Sequence, residues 1–125
     1  AGPLPGPGGE SVREDLIAML RVMSQDAADP KRMRRYTLLL GEGEKYPKII
    51  QRYKETVVEP RRDMIRSVLR RGIATGELRP DLDLEVAMFV LMGAVVARGK
   101  HDAEQITADY AERVVDEVLL GLTPR

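Results

Sequence analysis

Few side chains in this sequence have the type and spacing to do chemistry. His101 and Asp102 are its one imidazole–carboxylate neighbourhood, the pairing that general base catalysis uses. They fall in a polar stretch between two helical patterns and read as a solvated turn. Ser11, Ser24 and Ser67 lack the glycine-flanked elbow that exposes a nucleophilic serine. Ser11 instead stands where a helix cap belongs. Asp81, Asp83 and Glu85 offer oxygen ligands, but not at the spacing of a calcium loop. They read as a turn followed by a helix N-cap. With no cysteine and a single histidine, disulfides and thiolate zinc sites are excluded, and few nitrogen ligands remain for a transition metal. We expect no catalytic set, no metal, no cofactor and no enzyme.

Binding is a better prospect than reaction. Met19, Met23, Met64, Met88 and Met92 all fall on apolar faces. Methionine fills irregular core gaps and also lines adaptable pockets. Tyr36 and Tyr53 carry phenols that could meet a ligand or sit half-buried at a helix seam. Only Phe89 and Tyr36, Tyr46, Tyr53 and Tyr110 are aromatic, too few for a base-stacking platform. The basic run Lys31-Arg32-Met33-Arg34-Arg35 reads as a solvated helix face rather than a nucleic-acid contact. The whole chain balances 20 basic against 20 acidic side chains, which argues against non-specific nucleic-acid binding. That balance hides a division: residues 1–79 carry an excess of five positive charges and residues 80–125 an excess of five negative ones.

These residues must be positioned by helices. The 125 residues suit one domain, and no strand pattern or internal repeat appears. Residues 1–10, rich in glycine and proline, read as a linker or arm, leaving 11–122 as the folded domain. Ser11 and Glu14 stand at capping-box spacing before a first helix with a stripe of Val12, Leu16, Met19, Leu20, Met23 and Ala27. Asp29-Pro30 ends it and opens a second, short helix to about Leu40. A third, long helix runs from about Lys45 to Gly72, with a kink expected at Val57–Pro60. Glu59–Arg62 and Asp63–Arg66 are expected as ion pairs on its outer surface. Asp83 caps a fourth helix. Asp102 with Gln105 caps a fifth, from about Ala103 to Gly121.

The fourth helix is the most informative. Val86 to Ala97 is an unbroken run of twelve residues without a polar side chain. That is short of the about 18 needed to suggest a membrane span. No basic region followed by an apolar stretch marks the N-terminus. The chain is expected to be soluble and cytoplasmic, without membrane contact. A helix apolar all round must be covered all round, and the rest of so small a chain can cover one side only. The fifth helix also has a wide stripe: Ile106, Tyr110, Ala111, Val114, Val115, Val118, Leu119 and Leu122. Together the two helices could pair with the same two of a second copy, as a four-helix bundle about a two-fold axis.

Three stretches resemble the C-terminal regulatory domain of TetR-family transcriptional repressors. They are the glycine–proline arm with Ser11-Val12-Arg13-Glu14-Asp15-Leu16, the segment Pro60 to Asp83 with its Gly76-Glu77-Leu78-Arg79 turn, and the close from Arg113 to Leu122. The resemblance covers about residues 5–122. It implies an all-α, five-helix domain whose last two helices dimerise and whose earlier helices enclose a small effector. It also implies operator DNA binding through an N-terminal helix-turn-helix domain, which these residues do not include. From helix geometry the pocket is expected between the first, third and fourth helices, lined by Met19, Met23, Tyr53, Val57, Met64, Phe89 and Met92. Its ligand is expected to be mostly apolar, with one hydroxyl or carbonyl for Tyr53. The homodimer seam is expected to use Met88, Leu91, Val95, Tyr110, Val114, Val118 and Leu122. The alternative is a helical homodimeric scaffold that binds no ligand.

Overall fold

The computed structural model describes residues 4, 8, 9, 11–42 and 44–122, Leu122 by its backbone alone. Ser11 opens α1 (Val12–Ala28), its hydroxyl accepting from the Glu14 amide at 3.0 Å. A second cap comes from far along the chain: a Glu77 carboxylate oxygen accepts from the Val12 amide at 3.1 Å. Asp29 accepts from the Lys31 amide at 2.9 Å and starts α2 (Pro30–Gly41), with Pro30 where a missing N–H costs nothing.

The long third helix is a continuous rod of three pieces. α3 (Pro47–Tyr53) passes through a π-helical turn (Lys54–Val58) into α4 (Glu59–Thr75). The wide turn stands where the sequence predicts a kink. There the Glu59 amide reaches back five residues to the Lys54 carbonyl. Pro60 has no amide to offer, and its ring crowds the preceding turn. A widened turn makes room for it without ending the helix.

Gly76, at φ 84, ends α4 in the left-handed conformation that glycine adopts most easily. Each residue of the Gly76–Arg79 turn then has a task. Glu77 caps α1, Leu78 is buried in the core, and Arg79 reaches the Gly121 carbonyl at 3.4 Å and Asp81 at 3.1 Å. Asp83 accepts from the Val86 amide at 3.1 Å and opens α5 (Leu84–His101).

The last helix starts later than expected. Ala103–Gln105 is a single 3-10 turn, and α6 spans Tyr110–Leu122. The β-branched pair Ile106 and Thr107 holds helix poorly. Thr107 instead bonds the Asp109 carboxylate, and Asp109's carbonyl accepts from the Arg113 amide at 3.0 Å. The five rods, counting α3–α4 as one, contain no strand among the described residues. No described helix is long and apolar enough to cross a membrane.

α1 is the central element, touching α2, α4, α5 and α6. Leu16, Met19 and Leu20 of α1 meet Ile65 and Leu69 of α4, Met88, Leu91 and Val95 of α5 and Val115 of α6 in one fully buried core. Two glycines set the closest crossings. A Cβ on Gly99 would lie 2.7 Å from the Ala27 Cβ, and one on Gly72 would lie 2.7 Å from Leu78. Of the expected arm, the described residues Leu4 and Gly8 meet the domain: Leu4 is buried in the core, and the Gly8 amide donates to Asp15 at 2.9 Å. Asp15 also takes a hydrogen bond from Arg71. Burial pushes its carboxyl up, but the bonds from Arg71 and Gly8 outweigh burial and hold it below the usual range.

Candidate functional site

A cavity of about 440 Å³ lies where α1, α2, the α3–α4 rod and α5 meet. That is within the range of about 300–1,000 Å³ typical of small-molecule sites. α1 contributes Met23, Asp26 and Ala27; α2 contributes Arg32, Met33, Arg35, Tyr36 and Leu39. Tyr53, Val57 and Val58 come from α3 and the π turn, Arg61 and Arg62 from α4. Phe89, Met92, Gly93, Val95 and Val96 of α5 close the far wall. The cavity is open on one side, since Phe89 is 51% and Val96 39% exposed.

Polar groups are few and grouped. Asp26 is shared by two guanidinium groups, Arg61 at 2.7 Å and Arg32 at 3.3 Å. Arg62 pairs with Glu59 at 2.8 Å and lies 4.8 Å from the centre of the Phe89 ring. The rings of Tyr36 and Tyr53 meet at 5.9 Å with a tilt of 51°. Burial, with a smaller contribution from Tyr36, holds the Tyr53 phenol above its ordinary pKa of 10.0, so it stays a hydrogen-bond donor.

Of the seven expected lining residues, Met23, Tyr53, Val57, Phe89 and Met92 are brought together on this wall. Met19 and Met64 are not. Met19 is fully buried in the core, and Met64 packs against that core from α4. Sequence reasoning missed α2. Met33, Tyr36 and Leu39, three residues apart, were the available signal, obscured by the basic run around them. The two ion pairs expected on the outer surface form, but Arg62 and Arg66 reach on to α5. Arg66 forks onto Glu85 at 2.7 and 2.9 Å, which lowers the Glu85 pKa.

The expected seam residues need a correction. Met88, Leu91 and Val95 have no exposed surface, so none has area to offer a second copy. Tyr110 is also buried, and its hydroxyl donates to the Ala94 carbonyl at 2.7 Å. Val114 and Val118 are half-buried against the core. The side chain of Leu122 lies outside the described residues. The apolar surface left free on these helices is instead Val86, Phe89, Val90 and Val96 of α5 and Leu120 of α6. Elsewhere Asp81, Asp83 and Glu85 are each engaged, by Arg79, the Val86 amide and Arg66. Among the described residues no cluster of three His, Cys, Asp or Glu side chains could hold a metal ion.

Residues 7–118 match the family described as "Tetracyclin repressor-like, C-terminal domain". The chain belongs to this family. Its TetR-type fold is shared with a solved structure, that of the TetR family transcription regulator SCO0332. The TM-score is 0.79 at 28% identity, over 97% of this chain and 66% of that one. The TetR-type domain is also 29% identical over 84 residues to the "Uncharacterized HTH-type transcriptional regulator YdeS" of Bacillus subtilis (strain 168). That stretch covers 67% of this chain and 42% of the relative. The chain thus spans less than two thirds of the length of either protein. Both of these proteins are described as transcription regulators.

Proposed function

We propose that this chain is the effector-binding and dimerisation part of a TetR-type transcriptional repressor. The observation that carries the reading is the cavity of about 440 Å³, walled by apolar side chains and given a few grouped polar ones. A small, mostly apolar molecule binds there and controls operator binding by a helix-turn-helix segment that lies outside these 125 residues. The coupling is a difference in ligand affinity between operator-competent and operator-released arrangements of two copies. α5 and α6 supply the contact between copies, through the exposed Val86, Val90 and Leu120.

Thermal denaturation against a panel of amphipathic compounds tests the cavity. A saturating ligand at one hundred times its Kd stabilises by about 2.7 kcal/mol, readily visible as a higher melting temperature. If no compound in a broad panel moves the melting temperature, the chain is the ligand-free scaffold instead. Light scattering tests the pairing separately, with a mass of two chains expected at micromolar concentration.

A further inference from the structure

The basic run at residues 31–35 has a division of labour that its sequence does not reveal. On α2, Lys31 and Arg34 are exposed and take no part in the cavity wall, whereas Arg32 and Arg35, three residues apart, both line it. Arg61 and Arg62 of α4 join them. The wall therefore carries four guanidinium groups and a single carboxylate, Asp26, in a chain whose charges balance overall. Asp26 is already divided between Arg61 and Arg32, Arg32 also reaches Asp29 at 3.5 Å, and Arg62 is held by Glu59, which leaves Arg35 as the wall's guanidinium without a carboxylate. The Arg35 side chain makes no hydrogen bond or ion pair among the described residues.

We infer that the ligand is an amphipathic organic anion: an apolar body with one carboxylate-type head, the head held by Arg35 beside Arg32 and Arg62. The inference rests on the reading that the cavity takes a ligand, and names its class. Three observations converge on it. The walls away from the arginines are apolar (Met23, Val57 and Met92 among them), so the body of the ligand need not be polar. Arg32 and Arg35 keep contact with water while Arg61 and Arg62 are largely withdrawn from it, so the positive charge borders a cavity whose apolar walls screen it less than bulk water does. A guanidinium presents a planar fork of donors that fits a carboxylate with two parallel bonds. Tyr53, kept protonated by its burial, adds a donor and no competing charge. A cationic amphiphile of the same size would face the same field with the wrong sign.

Titration calorimetry with decanoate and decylammonium below their micelle concentrations, and decanol below its solubility limit, tests this on the chain as it stands. Decanoate is expected to bind about tenfold or more tighter than decanol, and decylammonium weakest of the three. Arg35→Gln is expected to weaken decanoate about tenfold and leave decanol unchanged. Arg34→Gln, the same charge loss on the same helix but off the wall, should change neither. Arg35 is exposed and unbonded, so unfolding of the variant is not expected, and an unchanged melting temperature without ligand checks that. If decanol matches decanoate, or decylammonium binds best, the anion assignment is wrong while the cavity reading stands. An Arg35→Gln protein that keeps the full preference for decanoate also overturns it. If none of the three binds, the assignment falls, and a silent wider panel takes the ligand-binding reading with it.

Discussion

Two glycines on α5 separate the packed side of that helix from its open side, and one substitution should act on them with opposite signs. A Cβ at Gly99 would sit 2.7 Å from the Ala27 Cβ and 3.0 Å from the Ala27 carbonyl oxygen. Both atoms belong to the central helix, and neither is the end of a flexible side chain. A methyl there must push α1 and α5 apart by about 1 Å, at a cost of about 1–3 kcal/mol for overpacking. Glycine to alanine in a helix returns about 1 kcal/mol of propensity, so Gly99→Ala should come out about 0–2 kcal/mol less stable. At Gly93 nothing lies within 4 Å of the added Cβ, so only the propensity gain of about 1 kcal/mol remains. For 125 residues, 1 kcal/mol moves the melting temperature by about 4 °C. Thermal melts of the two variants, run in parallel with urea titrations, should diverge by about 4–12 °C. Equal shifts would refute the claim that the α1–α5 crossing is set by Gly99. If Gly93→Ala is the more damaging, and increasingly so at higher protein concentration, a second copy packs tightly over Gly93 and the open side is closed in solution.

Other expectations follow from the same geometry. Leu16→Ala, at a site with no exposed surface, should cost about 2–5 kcal/mol in urea denaturation with little change in slope. Asp15→Asn should cost about 2 kcal/mol, less than a fully buried pair because Arg71 keeps 30% of its side chain in water. Asp15's carboxyl is held below its ordinary value of 3.8, so its stabilisation is fully present above that pH and fades as pH falls below it. A pH series of melts should therefore show the wild type losing its advantage over Asp15→Asn below about pH 4. Val90→Glu with Leu120→Glu, both at exposed positions, should leave the far-ultraviolet circular dichroism unchanged and reduce the mass in light scattering to one chain.

Local signals with a single physical solution were legible in the sequence. Asp29-Pro30 can end one helix and begin the next in few other ways, and Asp83 and Gly76 act as their types require. The faces of α5 were not. A run of twelve apolar residues has no phase, so nothing in it says that Met88, Leu91 and Val95 turn inward while Val86 and Val90 stay in water. That choice is made by where α1 and α6 pack, which depends on contacts distant in sequence. α2 failed for the opposite reason. It has no buried residue at all, and its arginines mask the three apolar or aromatic side chains that face the cavity. The expected first, third and fourth helices do wall the cavity, but α2 was missing from that set, and it brings two arginines that the sequence assigned to solvent.

The free apolar surface of α5 takes on a location once the helix is viewed down its axis. At about 100° per residue, Met92, Val96, Phe89 and Gly93 follow one another around the cavity side. Gly93, Val86, Ala97 and Val90 continue the same circuit, at exposed positions. The arc then reaches Ala94, whose carbonyl holds Tyr110 of α6. The free apolar arc is thus flanked by the cavity on one side and by α6 on the other, with Gly93 common to the cavity and the arc. Under the proposed function, a ligand and a second copy would press on adjoining sides of one helix. Neither could shift α5 without being felt by the other. The Gly99–Ala27 contact, near the far end of the same helix, fixes that end against α1. A rotation of α5 forced by the ligand would then be expressed mainly toward Val86 and Val90, the part of the arc proposed to meet the second copy.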